Sequence, residues 1–211
     1  MFPENNVMMF LQLGTGFFWI LTYVLIIKRG FQDRTYGMPM AAICANISWE
    51  FIFSFIYRYN ELQAVINMIW FSLDAVILMQ YLLFGGKDFK KYLPLKYFLP
   101  SFVLTLVLSF LIILAASYEF QDFEGKYAAF SQNLMMSVLF VSLFFRRGNL
   151  SGQSISIGVF KMIGSLLPAV AFILYFPSPL ITMLAVATFI FDLIYILLMS
   201  RMSKLSRGQL H

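Results

Sequence analysis

Seven apolar runs, each close to twenty residues long, constrain the fold of this chain more than any other feature. A helix needs roughly 20 apolar residues to cross the hydrocarbon core of a bilayer. Short connections join the runs and leave no room for a domain outside the membrane. The sequence therefore predicts one all-α domain over residues 1–211, built as a bundle of seven transmembrane helices. The predicted helices are 8–27, 39–57, 62–84, 95–116, 127–145, 154–176 and 180–200.

The composition indicates a multi-pass membrane protein. The chain is 61% hydrophobic and 12% charged, with a mean hydropathy of +0.81, whereas a soluble domain is about 25% charged. We therefore expect membrane lipid as a partner, and the sequence leaves the oligomeric state open. The formal charge of +5 does not indicate a nucleic-acid partner, because the basic residues concentrate in one set of loops.

Those loops predict the orientation of the chain in the membrane. Twelve of the 15 basic residues follow the first, third, fifth and seventh helices, and loops rich in Lys and Arg stay in the cytoplasm. The N-terminus is therefore predicted to lie outside and the C-terminus in the cytoplasm. The twelve are Lys28, Arg29, Arg34, Lys87, Lys90, Lys91, Lys96, Arg146, Arg147, Arg201, Lys204 and Arg207.

Four ionisable side chains lie inside the predicted helices at similar depths. At 1.5 Å per residue from the basic side, Glu50 lies about 16 Å deep, Asp74 about 15 Å, Asp192 about 12 Å and Lys161 about 10 Å. Charged groups at this depth are expensive, and by default they mark functional sites. We therefore predict one shared polar pocket inside the bundle, opening toward the cytoplasmic, basic side.

Each buried acid has polar or aromatic neighbours at helical spacing, which places them on one face. These pairs and stripes are Asn46 with Glu50, Asn67 with Trp70 and Asp74, and Asp192 with Tyr195. Together with the neighbouring Trp49 and two amides of the fifth helix, they complete the predicted pocket. Its predicted lining is Asn46, Trp49, Asn67, Trp70, Asp74, Lys161, Tyr195, Gln132 and Asn133.

Several of these residues have a structural alternative. Lys161 could extend to the cytoplasmic interface, or it could serve as a counter-ion in the pocket. Asp74 could hydrogen-bond to the backbone or to Lys161. The aromatic members could be ordinary packing residues, and Pro168 is predicted to bend the sixth helix beside a cavity.

Three short motifs carry a resemblance to a known family. Residues 46–51, Asn-Ile-Ser-Trp-Glu-Phe, resemble the second-helix motif of the integral-membrane terpene cyclases of fungal meroterpenoid and indole-diterpene pathways and their bacterial relatives. Residues 70–74 are similar to the family's Trp-x-x-x-Asp, and residues 191–195 resemble the setting of its late Asp. The order of the motifs and the whole-chain architecture agree with the family, although this chain is shorter and the family suggests no role for Lys161.

The resemblance implies an enzyme that cyclises a hydrophobic prenylated substrate, usually an epoxide, through carbocations, as an isomerase or lyase without a cofactor. It implies that Glu50 and Asp192 are the catalytic residues. The physical chemistry agrees, because burial in an apolar surrounding favours a protonated carboxyl group, so that Glu50 could act as a general acid. Asp192 would bond the same epoxide oxygen or orient Glu50, and the aromatic rings would stabilise cations.

No metal is predicted at the site. The sequence has no Asp-Asp-x-x-Asp motif for a magnesium–diphosphate site and no Asp-x-Asp-Asp motif of the soluble protonating cyclases. Its sole histidine, His211, lies at the extreme C-terminus. We therefore expect neither a metal ion nor ionisation of a diphosphate in the reaction.

Acids inside a membrane are also typical of functions other than cyclisation. The main alternative is a proton-coupled small-solute transporter or channel, since intramembrane acids also form proton relays, although no inverted repeat is evident. A rhodopsin would need a lysine in the last helix, and a purely structural membrane protein would not need three acids at mid-depth. The short loops favour a bacterial plasma membrane; a fungal host would imply the endoplasmic reticulum.

Overall fold

A computed structural model describes residues 6–208, and within that range the chain is helical apart from its loops. The terminal residues 1–5 and 209–211, including His211, lie outside the described residues. The all-α prediction and the number of helices are confirmed. The helices are α1 (Asn6–Gln32), α2 (Met40–Phe51), α3 (Glu61–Phe89), α4 (Phe98–Glu119), α5 (Lys126–Arg147), α6 (Ile155–Tyr175) and α7 (Pro179–Gly208).

Six of these helices are long and apolar enough to cross a membrane, and α2 is the shorter exception. Several extend beyond the predicted boundaries, most clearly at the C-terminal ends of α1, α3 and α7. Apolar runs locate the part of a helix that suits the hydrocarbon core. The helical backbone continues past that part, because polar residues at the interface also form helices.

Glu50 lies at the end of α2, where the helix changes its hydrogen-bond pattern. The segment Ile52–Ile56 is a π-helix, closed by the Tyr57 N–H donating to the Ile52 carbonyl at 2.8 Å. Such widened turns are rare and are frequent at functional sites. Together α2 and the π-helix cover Met40–Ile56.

Six helices form a closed ring, and α4 lies outside it. Around the ring, α1 packs against α3, α3 against α2, α2 against α5, α5 against α7, α7 against α6, and α6 against α1. The α1–α6 contact is close because small residues allow it. A Cβ added at Gly14 would lie 2.9 Å from Leu167, and one at Gly164 would lie 3.0 Å from the Trp19 ring.

The two ends of the ring differ. At the basic end, the Arg147 guanidinium lies 4.4 Å from the centroid of the Tyr36 ring and 3.5 Å from the Asp88 carboxylate. The Gly152 N–H donates to Asp33 at 2.7 Å and ties two loops together. Burial, assisted by the Asp88 carboxylate, raises the pKa of the Tyr36 hydroxyl. These contacts close the basic end with paired polar groups.

At the opposite end, the loop before α5 packs on the end of α2. The Trp49 indole N–H donates to the Gly125 carbonyl at 2.9 Å. Gly125 has φ +74°, and a Cβ there would lie 2.5 Å from the Phe53 ring, so glycine is required on both grounds. The Tyr57 and Phe123 rings meet at 5.1 Å between centroids. This end therefore holds Trp49 at a fixed position.

Candidate functional site

A cavity of about 200 Å³ lies inside the helical ring. An apolar cavity of about 150 Å³ is large enough to hold benzene, so this space accommodates at least a ring-sized group. Residues from α1, α2, α3, α5 and α6 line it. They include Leu11, Gln12, Thr15, Trp19, Tyr23, Asn46, Trp49, Glu50, Phe53, Gln63, Asn67, Trp70, Phe130, Gln132, Asn133, Met136 and Pro168.

The cavity reaches the loops at the end opposite the basic loops. Its lining there includes Tyr59, Asn60, Glu124 and Lys126, and we call this end the mouth. The prediction that the pocket opens toward the basic side is wrong. Depth along each helix could be counted from the sequence, but the contacts that close the basic end join segments far apart in the chain.

Glu50 forms the inner wall of the cavity and is only 2% exposed. The Tyr23 hydroxyl donates to Glu50 Oε1 at 3.1 Å, and the Asn46 amide donates to the Tyr23 oxygen at 2.5 Å. Asn46 and Glu50 share a helix face, as predicted, while Tyr23 comes from α1. The chain Asn46–Tyr23–Glu50 therefore fixes the position of the carboxyl group from two helices.

Asp74 lies behind Glu50 and not in the cavity wall. The two carboxyl groups are within hydrogen-bonding reach of each other, and Asn46 lies beside Asp74. Among the described residues, Glu50 Oε2 and both Asp74 oxygens lack a donor at hydrogen-bond geometry. Two ionised carboxylates cannot donate to each other, whereas one proton between them supplies a donor. The arrangement thus suits a pair of acids that share a proton.

The pairing of the buried charges differs from the sequence-based expectation. We expected Asp192 beside Glu50, but the acid beside Glu50 is Asp74, and Asp192 pairs with Lys161. The Lys161 ammonium donates to Asp192 Oδ1 at 2.9 Å and Oδ2 at 3.2 Å. It also donates to Asn133 at 2.9 Å and Ser137 at 2.6 Å. Lys161 is fully buried, so it does not extend to the interface.

Neither member of this ion pair lines the cavity, although two cavity residues contact Lys161. Asn133, which accepts from Lys161, is part of the cavity wall. The Lys161 ammonium lies 5.6 Å from the Trp19 ring centroid, and Trp19 packs at 5.5 Å on Tyr23. The four buried ionisable groups therefore form two separate pairs, joined by α1, instead of one shared pocket.

Most of the other predicted pocket residues do line the cavity. Asn67, Gln132, Trp49 and Trp70 are in its wall, and the Trp70 N–H faces the Gly16 carbonyl at 3.4 Å. The indole N–H groups of Trp49 and Trp70 both have backbone partners, so the carbon atoms of the two rings face the cavity. Tyr195 is different, since it is buried against Phe140, with ring centroids 5.7 Å apart, away from the lining.

The contribution of α1 to the site was not predicted from the sequence. Trp19 and Tyr23 are four residues apart and therefore share a helix face, which was the available signal. It was not distinctive, because aromatic residues make up 18% of the chain. Gln12 and Gln63 were also missed, since both lie near helix ends, where polar residues are ordinary.

The acids and other ligand-type side chains do not gather into a metal site. Within residues 6–208, no three or more His, Cys, Asp or Glu side chains are grouped so that they could hold an ion. The inner part of the cavity offers the acid Glu50 with an acidic neighbour, among aromatic and amide groups, while Glu124 and Lys126 lie at the mouth.

Comparison with known proteins identifies the family. Residues 3–205 match the Pyr4-like transmembrane terpene cyclases. The Pyr4-family terpene cyclase mfmH of Annulohypoxylon moriforme is 29% identical over 166 residues, 77% of this chain and 69% of that protein. The terpene cyclase macJ of Penicillium terrestre is 28% identical over 163 residues, 75% and 63% of the two chains.

A third relative gives the same result. The terpene cyclase pyr4 of Aspergillus fumigatus is 25% identical over 157 residues, 72% of this chain and 65% of that protein. The matched region thus spans about two thirds of the length of these curated relatives. With the family match covering nearly all of the described helices, the chain belongs to the Pyr4-like transmembrane terpene cyclases.

Proposed function

We propose that this protein is a membrane-embedded terpene cyclase that protonates an epoxide, or an alkene, of a prenylated substrate and so drives carbocation polycyclisation. The observation that carries the proposal is the Glu50 carboxyl in the wall of an apolar, aromatic cavity, within the fold of a terpene cyclase family. The relatives are named terpene cyclases, which supports the proposal.

The reaction begins with the proton of Glu50. The carboxyl O–H donates to the epoxide oxygen, the bond from that oxygen to the more substituted carbon breaks, and the oxygen becomes a hydroxyl. Alkenes of the chain attack the resulting cation in turn, each forming a carbon–carbon bond. Loss of a proton from the last cation forms an alkene and balances the proton that was donated. General acid catalysis of this kind contributes typically 10²–10⁴-fold in rate.

The neighbours of Glu50 control its proton and its position. Tyr23 and Asn46 hold one carboxyl oxygen in place, which leaves Oε2 without a protein donor. In this proposal both carboxyl groups are protonated before the reaction. When Glu50 has given up its proton, the proton that remains on Asp74 is shared across the pair, which lowers the penalty for forming a carboxylate in an apolar surrounding.

The aromatic part of the wall suits the cations that follow. Trp19, Trp49 and Trp70 all line the cavity, and aromatic faces attract cations more strongly when water is excluded. The apolar surroundings also keep water from trapping an intermediate. A proton, and not a metal ion, starts the reaction in this proposal.

We propose that Asp192 supports the reaction from behind the wall. It neutralises Lys161, and Lys161 in turn holds Asn133 at the cavity surface. This makes Asp192 a positioning residue whose loss changes the wall and leaves a buried cation unpaired. Asp192 would thus be needed for turnover without touching the substrate.

We propose further that all seven helices cross the membrane, with the N-terminus outside and the C-terminus in the cytoplasm, because the basic loops gather at one end. The short α2 still rises about 25 Å over its 17 residues with the π-helix included. The mouth would then face the outer side.

The test is conversion of epoxyfarnesyl and epoxygeranylgeranyl substrates by membranes that contain the protein, followed by mass spectrometry. We expect a cyclised isomer of one substrate with the wild type and none with Glu50→Gln. Wild-type membranes that leave both substrates unchanged would contradict the proposal. Flux of ions or solutes into proteoliposomes that depends on Glu50 would favour the transporter instead.

A further inference from the structure

Three amides form a hydrogen-bonded cluster on one wall of the cavity, near its mouth. The Gln12 amide donates to Gln63 Oε1 at 2.9 Å, and the Gln63 amide donates to Asn67 Oδ1 at 2.8 Å. All three line the cavity. We call Gln12, Gln63 and Asn67 the amide cluster. It joins α1 to α3 and lies between the loops and the acid pair.

The cluster and the facing wall retain unused hydrogen-bonding capacity. Each amide has two N–H donors and an oxygen with two lone pairs, and the cluster uses only part of these. Across the cavity, the buried Gln132 Oε1 has no hydrogen-bond partner among the described residues. Buried polar atoms without partners are uncommon and call for an explanation. A bound group with both donors and acceptors would supply the missing partners.

The amide cluster lies at a fixed distance from the acid pair. On α1, Gln12 precedes Tyr23 by eleven residues, and on α3, Gln63 precedes Asp74 by the same number. Eleven residues are three helical turns, so each pair shares a face and spans about 16 Å. An extended carbon chain needs on the order of twelve bonds to cover that span. Trp19 and Trp70 lie between the two polar levels.

We propose that the amide cluster, faced by Gln132, binds a polar head group carried by the prenyl substrate, one that offers both a hydrogen-bond donor and an acceptor. The substrate then enters with its chain first, and its reactive end reaches Glu50 while the head stays near the mouth. A farnesyl chain is the shortest prenyl chain that spans both levels. This inference rests on the proposed function, which supplies the prenyl chain.

The experiment separates head recognition from chemistry by using chains that cannot react. Two probes carry the same saturated farnesyl chain: one ends in a phenolic ester, the other is the plain hydrocarbon. Binding is measured by calorimetry with the detergent-solubilised protein. We expect Gln63→Met to weaken binding of the phenolic ester about tenfold, because a polar partner is lost, and to leave the hydrocarbon unaffected. Gln121→Met, exposed in the α4–α5 loop, is the matched control.

Equal weakening of both probes, or of neither, would overturn the head-group site. Should Gln63→Met fail to fold, Gln12→Met tests the same cluster from α1. Turnover distinguishes this inference from the proposed function. A wild type that binds the phenolic ester through Gln63 but cyclises no epoxide would refute the cyclase and retain the site. A cyclase that prefers headed over headless epoxides to the same degree in the wild type and in the Gln63→Met variant would refute the site and retain the cyclase.

Discussion

The two buried pairs of ionisable groups were predicted at similar depth but are built in opposite ways. Glu50 faces the cavity, and three of the four oxygens in its pair with Asp74 lack a donor among the described residues. Lys161 has Asp192, Asn133 and Ser137 as acceptors and does not reach the cavity. Lys161 already donates to three protein side chains, so the ion pair has no proton to give to a substrate. The acid pair lacks such partners, and a proton on it remains available. Depth in the membrane alone therefore does not identify the reactive group.

The largest effect is expected from removing the proton of Glu50. Glu50→Gln keeps the size of the side chain and an oxygen for Tyr23 but has no acidic proton, so turnover should fall by about 10³-fold with the fold intact. Product formation by mass spectrometry measures it. Glu61→Gln is the control, because Glu61 is exposed near the same end and outside the cavity lining. Near-normal turnover in Glu50→Gln would remove Glu50 from the mechanism.

The next largest effect concerns the ion pair. Asp192→Asn leaves Lys161 charged and buried without a counter-ion, which should destabilise the protein by about 3–5 kcal/mol. The double variant Lys161→Met with Asp192→Leu should recover most of that stability, since an apolar pair of similar volume is often tolerated. Thermal unfolding in detergent measures both.

Kinetics of the double variant then test whether the ion pair has a role in the reaction or only joins helices. If the ion pair only joins helices, turnover returns with stability. We expect kcat to remain low and KM to be unchanged, because Asn133 has lost the ammonium that holds it at the wall. Full recovery of kcat would show that Asp192 has no part in the reaction.

A smaller effect on turnover is expected from a change at Asp74, which lies behind Glu50. Asp74→Asn removes the second acid of the pair, so Glu50 must take the whole negative charge when it donates its proton. We expect kcat to fall about tenfold, a barrier increase of about 1.4 kcal/mol, with KM unchanged because Asp74 does not line the cavity. Asp88→Asn, on the same helix at the basic end, should leave both values unchanged. A change in KM alone would contradict the role given to Asp74.

The smallest expected effect is that of Tyr23→Phe. This variant removes the hydroxyl that links Asn46 to Glu50 but retains the ring that packs on Trp19. We expect kcat to fall several-fold, in keeping with the loss of one hydrogen bond of about 1 kcal/mol. Steady-state kinetics with the epoxide substrate measure it. A loss as large as that of Glu50→Gln would instead identify Tyr23 as the proton donor.

The sequence predicted what lies within one helix far better than what joins two. Asn46 and Glu50 share a face because they are four residues apart, and that spacing needs no knowledge of the bundle. The partner of each acid depends on the order of helices in the ring, which apolar periodicity does not contain. Asp192 was therefore placed beside Glu50, although α7 packs between α5 and α6, where Lys161 is available.

The position of the mouth was beyond prediction for a similar reason. The basic loops predicted the orientation of the chain. Whether they also close the basic end of the ring depends on contacts such as Arg147 with Tyr36 and Asp33 with Gly152. These residues are far apart in sequence, and nothing in their local patterns links them. The family motifs, by contrast, are local, and the family they indicated is confirmed by the match over residues 3–205.

The mouth has a consequence for how fast the enzyme can work. The described lining reaches loops at the mouth and not at the basic end, so we expect a product to leave along the path by which the next substrate arrives. Cyclisation turns a flexible chain into a stiffer, wider body while it is inside. We therefore expect added product to compete with substrate for the mouth. Turnover would then slow as product accumulates, even though the chemical step at Glu50 limits the initial rate.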